Sequence, residues 1–279
     1  MKIRELQSII PSQATSDGDG VRIRRVAMFN QPVTDPFLMI DELSSDNPDD
    51  FIGGFPPHPH RGMETLTYLR HGSLEHRDHL GNRGMINSGG AQWMSAGRGI
   101  IHSEMPAREM KQLHGFQLWI NLPAAEKMQA PKYRDVPASD IPKTCGNGWQ
   151  ASVIAGEWTI EGQATAGPLL DLAAGAAYLD LELEAGASVS IATPHDETVV
   201  ALMYDGLLQT TPMAPAKSLL VFGKGDTLLL AAKTSTRAIL LRGTPLREPV
   251  VHYGPFVMNT AEEIRQAIED YNRGDFGRS

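Results

Sequence analysis

Two short pairs carry the residues most suited to chemistry in this chain: His58-Pro59-His60 and His102-Ser103-Glu104. Each sets two metal-binding side chains two residues apart. Side chains alternate faces along a β-strand, so residues i and i+2 point the same way and an extended pair acts as a two-pronged clamp. Pro59 biases His58 towards extended backbone and removes one ladder N–H, which suits a strand end. Three imidazole nitrogens and one carboxylate oxygen fit a first-row transition metal and suit magnesium or calcium poorly. The competing reading is two unrelated pairs whose histidines are satisfied by hydrogen bonds. The settings weigh against it. Gly53-Gly54-Phe55-Pro56-Pro57 precedes the first pair and Ala96-Gly97-Arg98-Gly99-Ile100-Ile101 the second, and between them lie short apolar runs broken by glycine turns. Such runs read as antiparallel strands able to bring the second clamp to the first.

The elements that must position these clamps are short strands. Val21-Arg22-Ile23-Arg24-Arg25-Val26 alternates apolar and charged residues, as a half-buried strand does. Further strands are expected over Met1 to Ile10, Phe37 to Leu43, Glu64 to Arg70, Leu74 to His79, Ala91 to Ser95 and His114 to Leu122. Turns every 8–12 residues with little helix predict a β-barrel or sandwich. Asp17-Gly18-Asp19-Gly20 resembles a calcium loop but lacks the later glutamate, so it reads as a plain turn. Pro123 to Pro142 reads as a linker with a short helix near Ala124 to Met128. The domain boundary is expected between Pro131 and Trp149. This gives residues 1–140 as a metal-binding barrel and 141–279 as a second barrel plus a C-terminal helix. The second half repeats the strand texture, yet His195 has no i+2 histidine, so no transition metal is expected there. Thr260-Ala261-Glu262-Glu263 is a capping box, and Ile264, Ala267, Ile268 and Tyr271 follow at helical spacing, with Gly274 as terminator. The apolar face of this helix most simply packs on its own protein.

Composition narrows the function classes. The 279 residues are 41% hydrophobic and 21% charged, with 27 glycines and 19 prolines, as in a turn-rich globular β protein. A net charge of −8 argues against a phosphate-binding surface and hence against direct nucleic-acid binding. The single cysteine, Cys145, is expected in a loop, excludes an internal disulfide and suits a reducing compartment. No apolar run is long enough to span a bilayer, and the N-terminus lacks a signal-like apolar region, so a cytoplasmic protein is expected. A monomer is the expected state, from the balanced surface composition, though composition leaves the oligomeric state open.

His58 to Thr65 and Gln92 to Pro106, extended by His114 to Leu122 and Gly254 to Asn259, resemble the pirin family of the cupin superfamily. The resemblance implies an all-β bicupin: two jelly-roll-type β-barrels in tandem, with metal only in the N-terminal one. It implies His58, His60, His102 and Glu104 as metal ligands, whereas a generic cupin pattern would enlist Glu64. Here Glu64 is expected to support the site without ligating. Iron(II) is the first choice of ion, with copper, nickel, manganese, cobalt or zinc as alternatives. The implied activity is that of quercetin 2,3-dioxygenase: opening of a flavonol ring with dioxygen and release of carbon monoxide. Glu104 is its candidate catalytic base. The alternative, from a different class, is an iron-dependent redox sensor that regulates protein partners. His71, His76 and His79 are expected at the surface or supporting the site, and His114 in a structural role. Arg61 and Arg98 are expected to pair with carboxylates or carbonyls, and Met63, Met94 and Met105 to fill the interior. His252 and Tyr253 receive no chemical role.

Overall fold

The computed structural model describes residues 2–29 and 31–277. Its strands assemble into two units of the same plan, each a seven-stranded sheet with a four-stranded companion. In the unit that carries both clamps, the larger sheet runs in the order Lys132–Val136, Ala91–Ser95, Met63–His71, Leu113–Asn121, Phe37–Ser45, Val21–Ala27 and Gln13–Asp17. The smaller runs Phe55–His60, Ile100–Pro106, Ser73–Asp78 and Arg83–Asn87. Val21 and Ile23 are buried while Arg22 between them stays exposed, as the alternation predicts. Val21, Leu43, Phe51, Leu69, Leu74 and Ile86 form a core cluster at one end. Phe55–His60 is the edge strand of its sheet, so the N–H groups missing at Pro56, Pro57 and Pro59 cost little of the ladder.

The other unit has a larger sheet that includes Thr198–Asp205, Thr236–Gly243 and Ala177–Leu183 at its centre. Its interior is filled by apolar side chains, among them Trp158, Leu179, Ile191, Val199 and Leu240. His195, the lone histidine expected there, is exposed beside Asp196.

The contact pattern divides the chain differently from a single cut near residue 140. One unit comprises Met1–Gln13, Gln31–Pro36 and Asp140–Pro245, the other Ala14–Asn30, Phe37–Ser139 and Leu246–Ser279. The first strand is Leu6–Pro11, shorter than expected, and it pairs antiparallel with Ser218–Phe222. The C-terminal helix Ala261–Arg273 clusters with the clamp-bearing unit. The reason is its apolar face: Ile264 and Ala267 pack with Phe256, Met258 and Phe276, and Ile101 of the second clamp strand joins them. Asp270 of the helix accepts from Arg61 Nη1 at 2.8 Å. The capping box at Thr260 and Glu263 forms, and Gly274 closes the helix in the left-handed conformation.

Three smaller expectations are corrected. Cys145 lies in the strand Lys143–Gly146, not a loop, with its thiol exposed. The short helix is a single 3-10 turn, Ala124–Glu126. Met105 is 36% exposed, because its neighbour Glu104 points inward and alternation turns Met105 out. Among the described residues, no helix is long and apolar enough to cross a membrane.

Candidate metal centre

The two clamps are neighbours in the four-stranded sheet. Ile100–Pro106 pairs antiparallel with Phe55–His60, placing His102 opposite His58 and Ile100 opposite His60. A β-bulge follows His102, so that Glu104 pairs with Phe55. Bulges of this kind re-aim side chains near functional sites. The sheet thus gathers three imidazoles: ligand nitrogens of His58, His60 and His102 all lie within 4.8 Å of one another. Their ring centroids are 4.4 to 5.0 Å apart.

The hydrogen bonds around these rings leave nitrogens available for a cation. His58 Nδ1 lies 2.9 Å from the Pro56 carbonyl, to which it can only donate, and this frees its Nε2 lone pair. His102 Nδ1 lies 3.3 Å from His76 Nδ1. His102 Nε2 and His60 Nδ1 are buried without a partner. A buried, unpaired nitrogen is costly unless something absent from the chain itself completes it. Burial holds all three imidazoles below their ordinary pKa, His60 and His102 well below. Neighbouring imidazoles reinforce this at His60 and His102, whereas the Pro56 carbonyl and Asp17 oppose it at His58. They are therefore neutral at physiological pH, the form that ligates metals. The donor set fits a divalent transition ion.

Glu104 stands apart from this trio. It is 5% exposed, and the Thr67 hydroxyl lies 3.0 Å from its Oε1 and 2.5 Å from Gln117 Oε1. Burial, only partly offset by Thr67, raises its pKa to about 7. Glu64 is also buried, on the strand Met63–His71.

His76 is the residue sequence reasoning undervalued. It is fully buried, pairs with Glu104 across the sheet and touches His102. Its Nε2 lies 3.4 Å from Asp78 Oδ2. Asp78 is in turn fixed by the Leu80 and Asn82 amides and the Asn82 side chain at 2.7 to 3.0 Å. The signal was present: His76 stands two residues after Leu74, on the inward face of its strand. His71 and His79 are exposed, and His114 lies 3.3 Å from Glu42.

The first clamp is locked from behind. Lys127 is 1% exposed, and its ammonium donates to Gly62 O, Asn121 Oδ1 and Val257 O at 2.7, 2.6 and 3.0 Å. Arg61 Nε donates to the Arg98 carbonyl at 2.6 Å, while Arg98 Nε reaches the Gly277 carbonyl. Gly62 has φ +79°, and a Cβ there would lie 2.0 Å from Val257 O, so only glycine fits. A cavity of about 690 Å³ opens onto His58, walled by Phe29, Met39, Phe55, Trp119 and His252.

Two barrels of one plan in a single chain, one gathering three histidines and the other with an apolar interior, define a bicupin. The matching family models agree: the one described as Pirin covers residues 20–120, and Pirin C-terminal cupin domain covers 178–277. The chain belongs to the pirin family. It is 49% identical over 277 residues to a Vibrio cholerae protein named "Putative quercetin 2,3-dioxygenase", covering 99% of this chain and 98% of that one. It is 42% identical to a pirin-like protein of Caulobacter vibrioides, covering 99% of this chain and all of the other. A crystal structure of quercetin 2,3-dioxygenase from Acinetobacter baumannii superposes with a TM-score of 0.90 at 30% identity, over 99% of both chains.

Proposed function

We propose that this protein is a metal-dependent dioxygenase of the quercetin 2,3-dioxygenase type, with one divalent ion held by His58, His60, His102 and Glu104. Iron(II) is the proposed native ion. The observation that carries this reading is the convergence of three neutral imidazoles, two of them with unpartnered buried nitrogens, beside a cavity walled in part by Phe29, Phe55 and Trp119. Relatives named for flavonol dioxygenation support the choice of substrate.

A bound divalent transition ion supplies Lewis acidity towards a flavonol hydroxyl and redox access to dioxygen. The chain supplies the rest. Pro56 and His76 orient the imidazoles of His58 and His102 through their second nitrogens. Phe29, Phe55 and Trp119 offer flat apolar walls that exclude water from a planar substrate. In this reading Glu104 takes the proton of the flavonol 3-hydroxyl, and the Thr67 hydroxyl holds one of its oxygens.

The test is to incubate the protein with quercetin under argon, admit air, and follow flavonol absorbance and carbon monoxide. Rapid loss of absorbance with carbon monoxide release, abolished by His102→Ala and by prior chelation, is expected. No loss, together with a protein partner captured in only one iron oxidation state, would replace this reading with the redox-sensor one.

A further inference from the structure

The cavity beside His58 has a rim that the histidine cluster does not require. His252, in the strand Val251–Tyr253, stacks on Phe29 with ring centroids 4.1 Å apart and planes 21° apart. Phe29 meets Trp119 edge-on at 6.1 Å, and Trp119 meets His60 edge-on at 5.0 Å. Four rings therefore run in sequence from the exposed His252 to the buried His60. The hairpin bearing His252 is fixed in place: Val257 N donates to the Arg61 carbonyl at 3.0 Å, and Lys127 holds the Val257 carbonyl. The platform is thus set before any ligand arrives, which lowers the ordering cost of binding.

The charges around the cavity add a selection rule. Its wall includes the carboxylates of Asp17 and Asp19 and one guanidinium, Arg25. That guanidinium is already engaged. Arg25 donates through Nε and Nη2 to both oxygens of Asp41 at 2.8 and 2.6 Å, and through Nη2 to Asp17 at 2.5 Å. An incoming carboxylate or sulfate would have to displace one of these partners and would face Asp17 and Asp19 as like charges.

The geometry points to His252 and Phe29 as an outer stacking platform that admits uncharged planar aromatic ligands and turns away carboxylate- or sulfate-bearing ones. This rests on the flavonol reading of the same site and adds the residues and the charge rule that select among its substrates. Offset stacking of flat rings contributes modestly per ring pair, so loss of one ring weakens binding roughly 3- to 10-fold.

The experiment is calorimetric titration of quercetin into the protein as purified, under argon so that no turnover occurs. Wild type is expected to bind, His252→Ala to bind roughly 3- to 10-fold more weakly, and His252→Phe to bind like wild type. Quercetin sulfated on the ring remote from its 3-hydroxyl is expected to bind about tenfold more weakly than quercetin or worse. His252 is exposed, so metal content and melting temperature should match wild type in both variants. Wild-type affinity in His252→Ala, equal binding of the sulfated ligand, or no binding of quercetin by wild type would each overturn the platform. Admitting air separates it from the enzymatic reading. Binding that depends on His252 without flavonol loss keeps the platform and removes the dioxygenase; flavonol loss with binding indifferent to His252 does the reverse.

Discussion

His102 Nδ1 and His76 Nδ1 lie 3.3 Å apart, both buried, with His76 leaning in turn on Asp78. One consistent tautomer set follows. His76 Nε2–H faces Asp78, His76 Nδ1 accepts from His102 Nδ1–H, and His102 Nε2 keeps its lone pair for an ion. This is a carboxylate-to-histidine-to-ligand chain of the kind that orients metal-binding imidazoles. His76→Phe fills much the same space without an acceptor. It should weaken iron(II) binding roughly 10- to 100-fold, read by competition against a calibrated chelator. An unchanged affinity would remove His76 from the support of the site.

Glu104 makes the stability of the metal-free protein depend on pH. Its pKa is about 7 when folded and near 4.5 as a free side chain. Between those values the folded chain holds a proton that the unfolded chain has released. Glu104's own contribution to stability therefore falls as pH rises from about 4.5 to about 7, by about 3 kcal/mol in total, while the buried histidines, with lowered pKa, contribute in the opposite direction up to about 6.5. Urea denaturation of chelator-treated wild type and Glu104→Gln across this window should show wild type losing stability relative to the variant as pH rises, since the histidine contribution is common to both. Parallel pH profiles would show that Glu104 is ionised throughout.

Lys127 ties three segments behind the first clamp, at Gly62, Asn121 and Val257. Lys127→Met removes the charge but leaves three buried acceptors without their donor. The expected loss is about 3 kcal/mol or more in denaturant unfolding. A loss below about 1 kcal/mol would mean that water or a local shift replaces the ammonium.

How far the sequence alone reached follows from the range of each signal. The histidine clamp and the Thr260 capping box depend on spacings of two and three residues, so local periodicity exposed them. Strand partners are another matter. Nothing near Leu6–Pro11 says that it pairs with Ser218–Phe222, and nothing near Ile264 says that its face meets Ile101. Those choices are settled by contacts between segments far apart in the chain, and a contiguous division near residue 140 could not anticipate them. Met105 shows a rule left unapplied: once Glu104 faces inward, its neighbour faces out. His252 and Lys127 carry no local mark at all, since their partners at Phe29, Gly62 and Val257 come from distant segments.

The most direct measurement is elemental analysis of the protein purified without added metal and then equilibrated with iron(II) under argon. One ion per chain is predicted for wild type, with near-complete loss in His58→Ala/His102→Ala while the strand-rich circular dichroism spectrum persists. A full complement of iron in that double variant, or none in wild type after equilibration, would contradict a metal centre at the paired clamps.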